Sequence, residues 1–189
     1  ILVKILSKEK KLKSGEYIIP ALSSPKKIIK TLENGKTVIH KITIVEGLKS
    51  KQIVDILNKA EGLSGEILSI PTEGSLLPDT YFFNWGDSKN LLIEKMKNEM
   101  NYAIKKLWET RKLNSSINTP FKAIILASII EKETGLEAER AHISSVFHNR
   151  LNIGMRLQSD PTVIYGMYIN GQSIEKSLTR KNIKTFSEY

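Results

Sequence analysis

Apolar and polar residues alternate in blocks along this chain, and the block periods predict its elements. Ile28, Ile29 and Leu32 fall at helical spacing, and so do Ile53, Val54 and Leu57. Each trio follows a short β-prone run and a polar turn, the first opening at Tyr17 and the second about 25 residues on, at Ile42. The two stretches, "YIIPALSSPKKIIKTLENG" and "ITIVEGLKSKQIVDILNKAEG", form a weak internal repeat. Ser24 is placed to cap the first helix with Pro25 at its first position, and Gly35 and Gly62 sit where helix ends favour glycine. These patterns predict a small α+β module over residues 1–65. A mere packing domain explains them equally well.

"PTEGSLLPDTYFFNWGD", Pro71 to Asp87, is dense in turn formers and reads as a loop rather than a regular element. Its aromatics either line a site or pack a junction. A long helix is predicted from Ser88 to about Lys112, with Leu92, Met96, Ala103 and Leu107 on its apolar side. Thr119 and Pro120 then open the helix "FKAIILASIIEKET", which reads as buried and ends near Gly135. A further helix is predicted from Glu137 to Leu151, with Ile143, Val146, Phe147 and Leu151 inward and Gly154 ending it. Asp160 and Pro161 suit the start of a short helical turn. The tail from Ser173 is polar.

Composition changes this picture only a little. The 189 residues allow one domain or two small ones. No apolar run approaches the roughly 18 to 20 residues of a membrane helix. The chain opens on Ile1 rather than Met, so it reads as a piece of something longer. With no cysteine, disulfides and thiolate metal sites are excluded. His40, His142 and His148 show no ligand spacing, so no metal site is expected. The net charge of +9 attracts polyanions in general, yet no nucleic-acid motif accompanies it.

What remains is carboxylate chemistry. Glu131 shares a helix face with Ile124 and Ala127, at the end of an apolar run. It either caps a core helix at the surface or is held partly desolvated, which favours the protonated form a general acid needs. Glu133 lies about 200° round the helix, so the two acids do not share a cleft. A second polar cluster comprises Asn149, Arg150, Gln158, Asp160, Thr162 and Tyr165. Amides, a carboxylate and a ring suit sugar recognition. A helix cap with an Arg–Asp surface pair is the plainer reading.

Taken together, "ITIVEG", "LPDTYFF", "ILASIIEKETG", "VFHNRL" and "GMRLQSDPTVIYG" resemble the endolytic murein transglycosylase family, also called YceG-like, in its order and at plausible spacing over nearly the whole chain. The resemblance implies an α+β protein: a LysM-like module over 1–65, then a mainly helical, C-terminally incomplete catalytic domain over 66–189. It implies a lytic transglycosylase that cuts nascent peptidoglycan strands between N-acetylmuramic acid and N-acetylglucosamine, leaving a 1,6-anhydro end, without cofactor. It also implies an N-terminal inner-membrane anchor outside this chain, a periplasmic catalytic part, and cell-wall synthases as partners. Glu131 matches the family's catalytic glutamate. Glu73, Asp79, Tyr81, Gln158, Asp160, Thr162 and Tyr165 match cleft positions. Ser75 and Leu77 stand where the family usually has aromatics, and the family continues past the "FSEY" that ends this chain. Two rivals remain: a lysozyme-type hydrolase with Asp160 as second carboxylate, and a non-catalytic peptidoglycan-binding scaffold.

Overall fold

A computed structural model describes residues 15–112, 116–172 and Leu178. The expected polar tail falls almost wholly outside that range. The described order is α1 (Pro25–Asn34), β1 (Ile39–Thr43), α2 (Ser50–Lys59), β2 (Thr80–Asn84), α3 (Lys89–Glu109), α4 (Pro120–Glu133), α5 (Glu137–Asn152) and α6 (Asp160–Ile169). The α+β class stands as read. None of the described helices is long and apolar enough to cross a membrane. The chain divides after Tyr102 into two compact units, within α3.

In the first unit, Ser24 accepts a hydrogen bond from the Lys27 amide, Pro25 opens α1, and Gly35 closes it at φ 64°. The first β-prone run, at Tyr17, forms no strand; its end of the repeat departs from the second copy. The aromatic stretch departs too, because "TYFFN" is a strand rather than a loop. It pairs antiparallel with β1, Ile42 opposite Tyr81 and His40 opposite Phe83. Pleating turns Tyr81 and Phe83 inward and leaves Phe82 exposed. The described residues of the expected 1–65 module fall in this unit, and their strand finds its partner beyond residue 65.

The core of this unit gathers Ile44 from just after β1, Ile53 and Leu57 from α2, Leu76, Tyr81, and Leu92, Ile93 and Met96 from α3. Leu57 and Met96 are fully enclosed. The apolar side of α3 ends there. Leu107, expected inward, is 69% exposed. Gly62 is not the cap of α2, which Ala60 supplies in extended conformation. Gly62 instead turns at φ 86°, where a Cβ would lie 3.0 Å from the Trp85 ring, and its carbonyl accepts from the Gly86 amide. Glycine is needed there for both reasons.

The second unit is helical. Thr119 caps α4 through the Lys122 amide, with Pro120 next, as the sequence predicts. Helix α4 packs on both α5 and α6. Its burial is narrower than its composition suggests. Leu126 is its one buried residue, and Phe121 and Ile125 are exposed. In α5, Phe147 is buried and Leu151 lies near the surface. Gly154, at φ 67°, reverses the chain after α5, where the Met155 amide donates to the Arg150 carbonyl. Helix α6 runs ten residues, longer than the single turn expected.

Candidate functional site

The last turn of α4 carries two acids, and the fold sends them to different neighbours. The turn after the helix explains why. Thr134 is buried, accepts from the Leu136 amide at 3.0 Å, and donates its hydroxyl to Glu139 at 2.6 Å. This pins the entry of α5 close under the end of α4. Arg140, one turn into α5, then meets Glu131. Its Nη2 lies 3.0 Å from Oε2 and 3.3 Å from Oε1, so a single guanidinium nitrogen serves both carboxylate oxygens. The Glu131 side chain is 26% exposed, between core and solvent. That position owes little to the stripe expected to desolvate it, since Ala127 is exposed and Ile124 half-buried.

Glu133 points the other way. It accepts from the hydroxyl of Ser159 at 3.2 Å, and Ser159 is buried at the N-terminus of α6. The end of α4 is therefore fastened on one side to α5 and on the other to the loop that starts α6. The angular separation of the two acids read from the sequence appears here as two separate attachments.

That loop is "LQSDPT", residues 157–162. The Arg150 guanidinium donates to the Leu157 carbonyl, holding the loop against α5. The Arg–Asp pair considered from the sequence is thus replaced by an Arg–backbone contact. Gln158 takes φ 53°, a left-handed conformation that an L residue adopts at a cost. Its side chain is exposed. Strained backbone of this kind is held by its surroundings, here by Arg150 on one side and buried Ser159 on the other. Asp160 is exposed in the first turn of α6, where the helix dipole favours an acid. The Thr162 hydroxyl donates to the Ser159 carbonyl at 2.6 Å and closes the turn. Tyr165 packs its ring 6.1 Å from that of Tyr168 on the same helix.

The remaining expected residues belong to the first unit, with local roles. Glu73 accepts from the Ser50 amide at 3.0 Å, so its carboxylate caps α2. Asp79 accepts from the Thr80 amide at 2.6 Å, and its own carbonyl receives the Ile44 amide. Tyr81 is 1% exposed and donates to the Leu77 carbonyl at 2.7 Å. Burial first, then the nearby carboxylates of Glu99 and Asp79, push its phenol well above the ordinary range. A ring so enclosed packs the core and is not free to stack on a sugar.

The second unit thus gathers Glu131, Gln158, Asp160, Thr162 and Tyr165 on elements that touch α4. Arg140 and Ser159 join them and were not singled out from the sequence. A basic residue in the first turn after "EKETG" was the available signal for Arg140. Nothing in the pattern marked Ser159.

Known proteins are similar to this chain in sequence and fold. The model of the YceG-like family matches residues 1–189. An endolytic murein transglycosylase from Bacillus subtilis is 39% identical over half of this chain and 26% of its own length. One from Streptococcus pneumoniae is 27% identical over 86% of this chain and 37% of its own. The chain therefore spans well under half of the curated relatives it matches. A crystal structure of a yceG-like protein from Listeria monocytogenes covers 98% of this chain and 70% of that one, with TM-score 0.57 and 28% identity. With the family model matched from the first residue to the last, the chain belongs to the YceG-like family.

Proposed function

We propose that this chain is part of a peptidoglycan lytic transglycosylase in which Glu131 acts first as general acid and then as general base. The observation that carries the reading is one half-buried glutamate at a helix end, its carboxylate held by a single guanidinium. The names of the relatives from Bacillus and Streptococcus supply the reaction class.

The chemistry needs one acid. Protonated Glu131 gives its proton to the glycosidic oxygen as the bond from that oxygen to the muramic anomeric carbon breaks. The Glu131 carboxylate then takes the proton of the muramic 6-hydroxyl, whose oxygen bonds to the same carbon. A 1,6-anhydro ring results and Glu131 is protonated again, with no water consumed. A hydroxyl on the reacting sugar has an intramolecular advantage over bulk water. Gln158, Asp160, Thr162 and Tyr165 would frame the sugar, while Glu73, Asp79 and Tyr81 would support the fold of the first unit. Neither a metal nor an organic cofactor enters these steps.

The same reading places residues 1–65 as a LysM-like module and 66–189 as part of the catalytic domain. It puts the protein at the inner membrane through a helix preceding this chain, with the catalytic part periplasmic and synthases of the wall as partners.

The test is mass spectrometry of purified peptidoglycan digested by the protein and by Glu131→Gln. Internal fragments ending in 1,6-anhydromuramic acid, absent with the variant, are expected. Fragments with reducing ends would support a hydrolase, with Asp160 as second carboxylate. Binding without cleavage by either protein would support a scaffold.

A further inference from the structure

We propose that Arg140 is a positioning residue that fixes the Glu131 carboxylate and stabilises the anion formed between its two proton transfers; this rests on the acid–base reading of Glu131. Three observations carry it. The first is geometric: one guanidinium nitrogen sits within 3.3 Å of both carboxylate oxygens, so neither can rotate away without losing a charged hydrogen bond. The second is the frame. Arg140 rides on α5, whose entry is set by the buried Thr134 and its bond to Glu139. Glu131 rides on α4, whose far side Ser159 holds through Glu133. The helices that carry the pair are therefore fixed from both sides, while the Arg140 side chain itself is 41% exposed. The third is a cost. Arg140 Nε is shut off from water and donates to nothing among the described residues. A buried donor left unpaired is uncommon in folded proteins and disfavours the arrangement that contains it. The fold nonetheless keeps the guanidinium in the pose that serves Glu131.

The reaction explains what such a pose does. Glu131 starts the cycle neutral, becomes an anion when its proton passes to the leaving oxygen, and is neutral again after taking the 6-hydroxyl proton. Arg140 meets the anion far more favourably than the neutral acid. Its charge therefore favours the first transfer, in which Glu131 gains negative charge, and works against protonation of the resting acid and against the second transfer, in which that charge is lost. The structure holds the pair in the arrangement that belongs between the two transfers.

The experiment compares the protein with Arg140→Gln, Arg140→Lys, Glu131→Gln and the Arg140→Gln/Glu131→Gln double variant. Each is assayed for kcat and KM on soluble glycan strands, with melting temperature measured in parallel. The expected result for Arg140→Gln is a fall of about 10- to 100-fold in kcat, the scale of a misplaced catalytic group, with little change in KM. Arg140→Lys keeps the charge on a shorter, differently placed head and falls between. Added guanidinium ion restores part of the Arg140→Gln rate, and the double variant is no slower than Glu131→Gln. An unchanged kcat overturns the proposal. So does a loss confined to KM, which makes Arg140 a substrate contact. A loss matched by a lowered melting temperature and not rescued by guanidinium or lysine overturns it in favour of a purely structural pair. If Glu131→Gln is inactive while Arg140→Gln keeps full rate, only this inference fails. If Glu131→Gln keeps full activity, the reading of Glu131 fails and takes the inference with it.

Discussion

Replacing Tyr81 with Phe removes a single oxygen from the core of the first unit, and its effect should change sign with pH. The ring is 1% exposed and stays in place in the variant. Near neutral pH the variant loses the hydrogen bond to the Leu77 carbonyl, 2.7 Å long, at a cost of about 1 kcal/mol. Alkaline pH adds a second effect. The unfolded phenol ionises near pH 10. In the folded chain ionisation is pushed higher by burial first and by Glu99 and Asp79 after it. A group whose folded value is raised contributes fully below the unfolded value and loses that contribution as pH climbs above it. At pH 11 the unfolded wild type gains about 1.4 kcal/mol from ionising, a gain that phenylalanine cannot make. Tyr81→Phe should thus be about 1 kcal/mol less stable at pH 8 and about 0.4 kcal/mol more stable at pH 11, with the curves crossing near pH 10.6. Urea unfolding of both proteins at matched pH measures the difference, and the titrations of lysines and other tyrosines cancel in it. A gap that stays constant from pH 8 to 11 refutes the argument, because the phenol would then ionise alike in both states.

Three further substitutions test other parts of the structure. Gly62→Ala forces a side chain into φ 86° with the Trp85 ring 3.0 Å away, and should cost about 1 to 2 kcal/mol in urea titrations while shifting tryptophan emission. Glu73→Ala strips the acceptor from the Ser50 amide, and about 1 kcal/mol of stability should go with it; an unchanged denaturation midpoint would deny Glu73 its capping role. Gln158→Gly relieves the left-handed backbone at φ 53°, so the melting temperature should rise by the equivalent of up to about 1 kcal/mol while glycan cleavage falls. A rise in both would mean the side chain does nothing for the reaction.

Helix starts were the most legible part of the sequence. Ser24–Pro25 and Thr119–Pro120 each combine a capping oxygen with a residue preset for the first turn, and both act locally. Local chemistry of that kind does not depend on what lies across the core. Strand β2 was hidden for the opposite reason. "TYFFN" sits among Pro78, Gly86 and Asp87, and only pairing with distant β1 makes it a strand. The apolar run of α4 misled because composition gives hydrophobicity but not which faces meet a neighbour; Phe121 and Ile125 turn outward from a helix with one buried residue. In the candidate site, Glu131 was visible as an acid out of keeping with its surroundings. Arg140 was not, because its meeting with Glu131 depends on a turn whose geometry Thr134 and Glu139 set. Tyr81 reads alike as a stacking ring or a core ring until its burial is known.

The pairing of β1 with β2 also has a consequence for the chain as it leaves the ribosome. Ile39 to Thr43 emerges well before Thr80 to Asn84, and all of α2 is made in between. Contacts this far apart in sequence close slowly, since the intervening chain must give up its freedom before the sheet repays it. Until Asn84 is clear of the exit tunnel, β1 has only the edge of a strand to offer, and its first residue, Ile39, stays exposed even in the folded chain. The charged Lys41 on that strand is then its guard against pairing with another nascent chain.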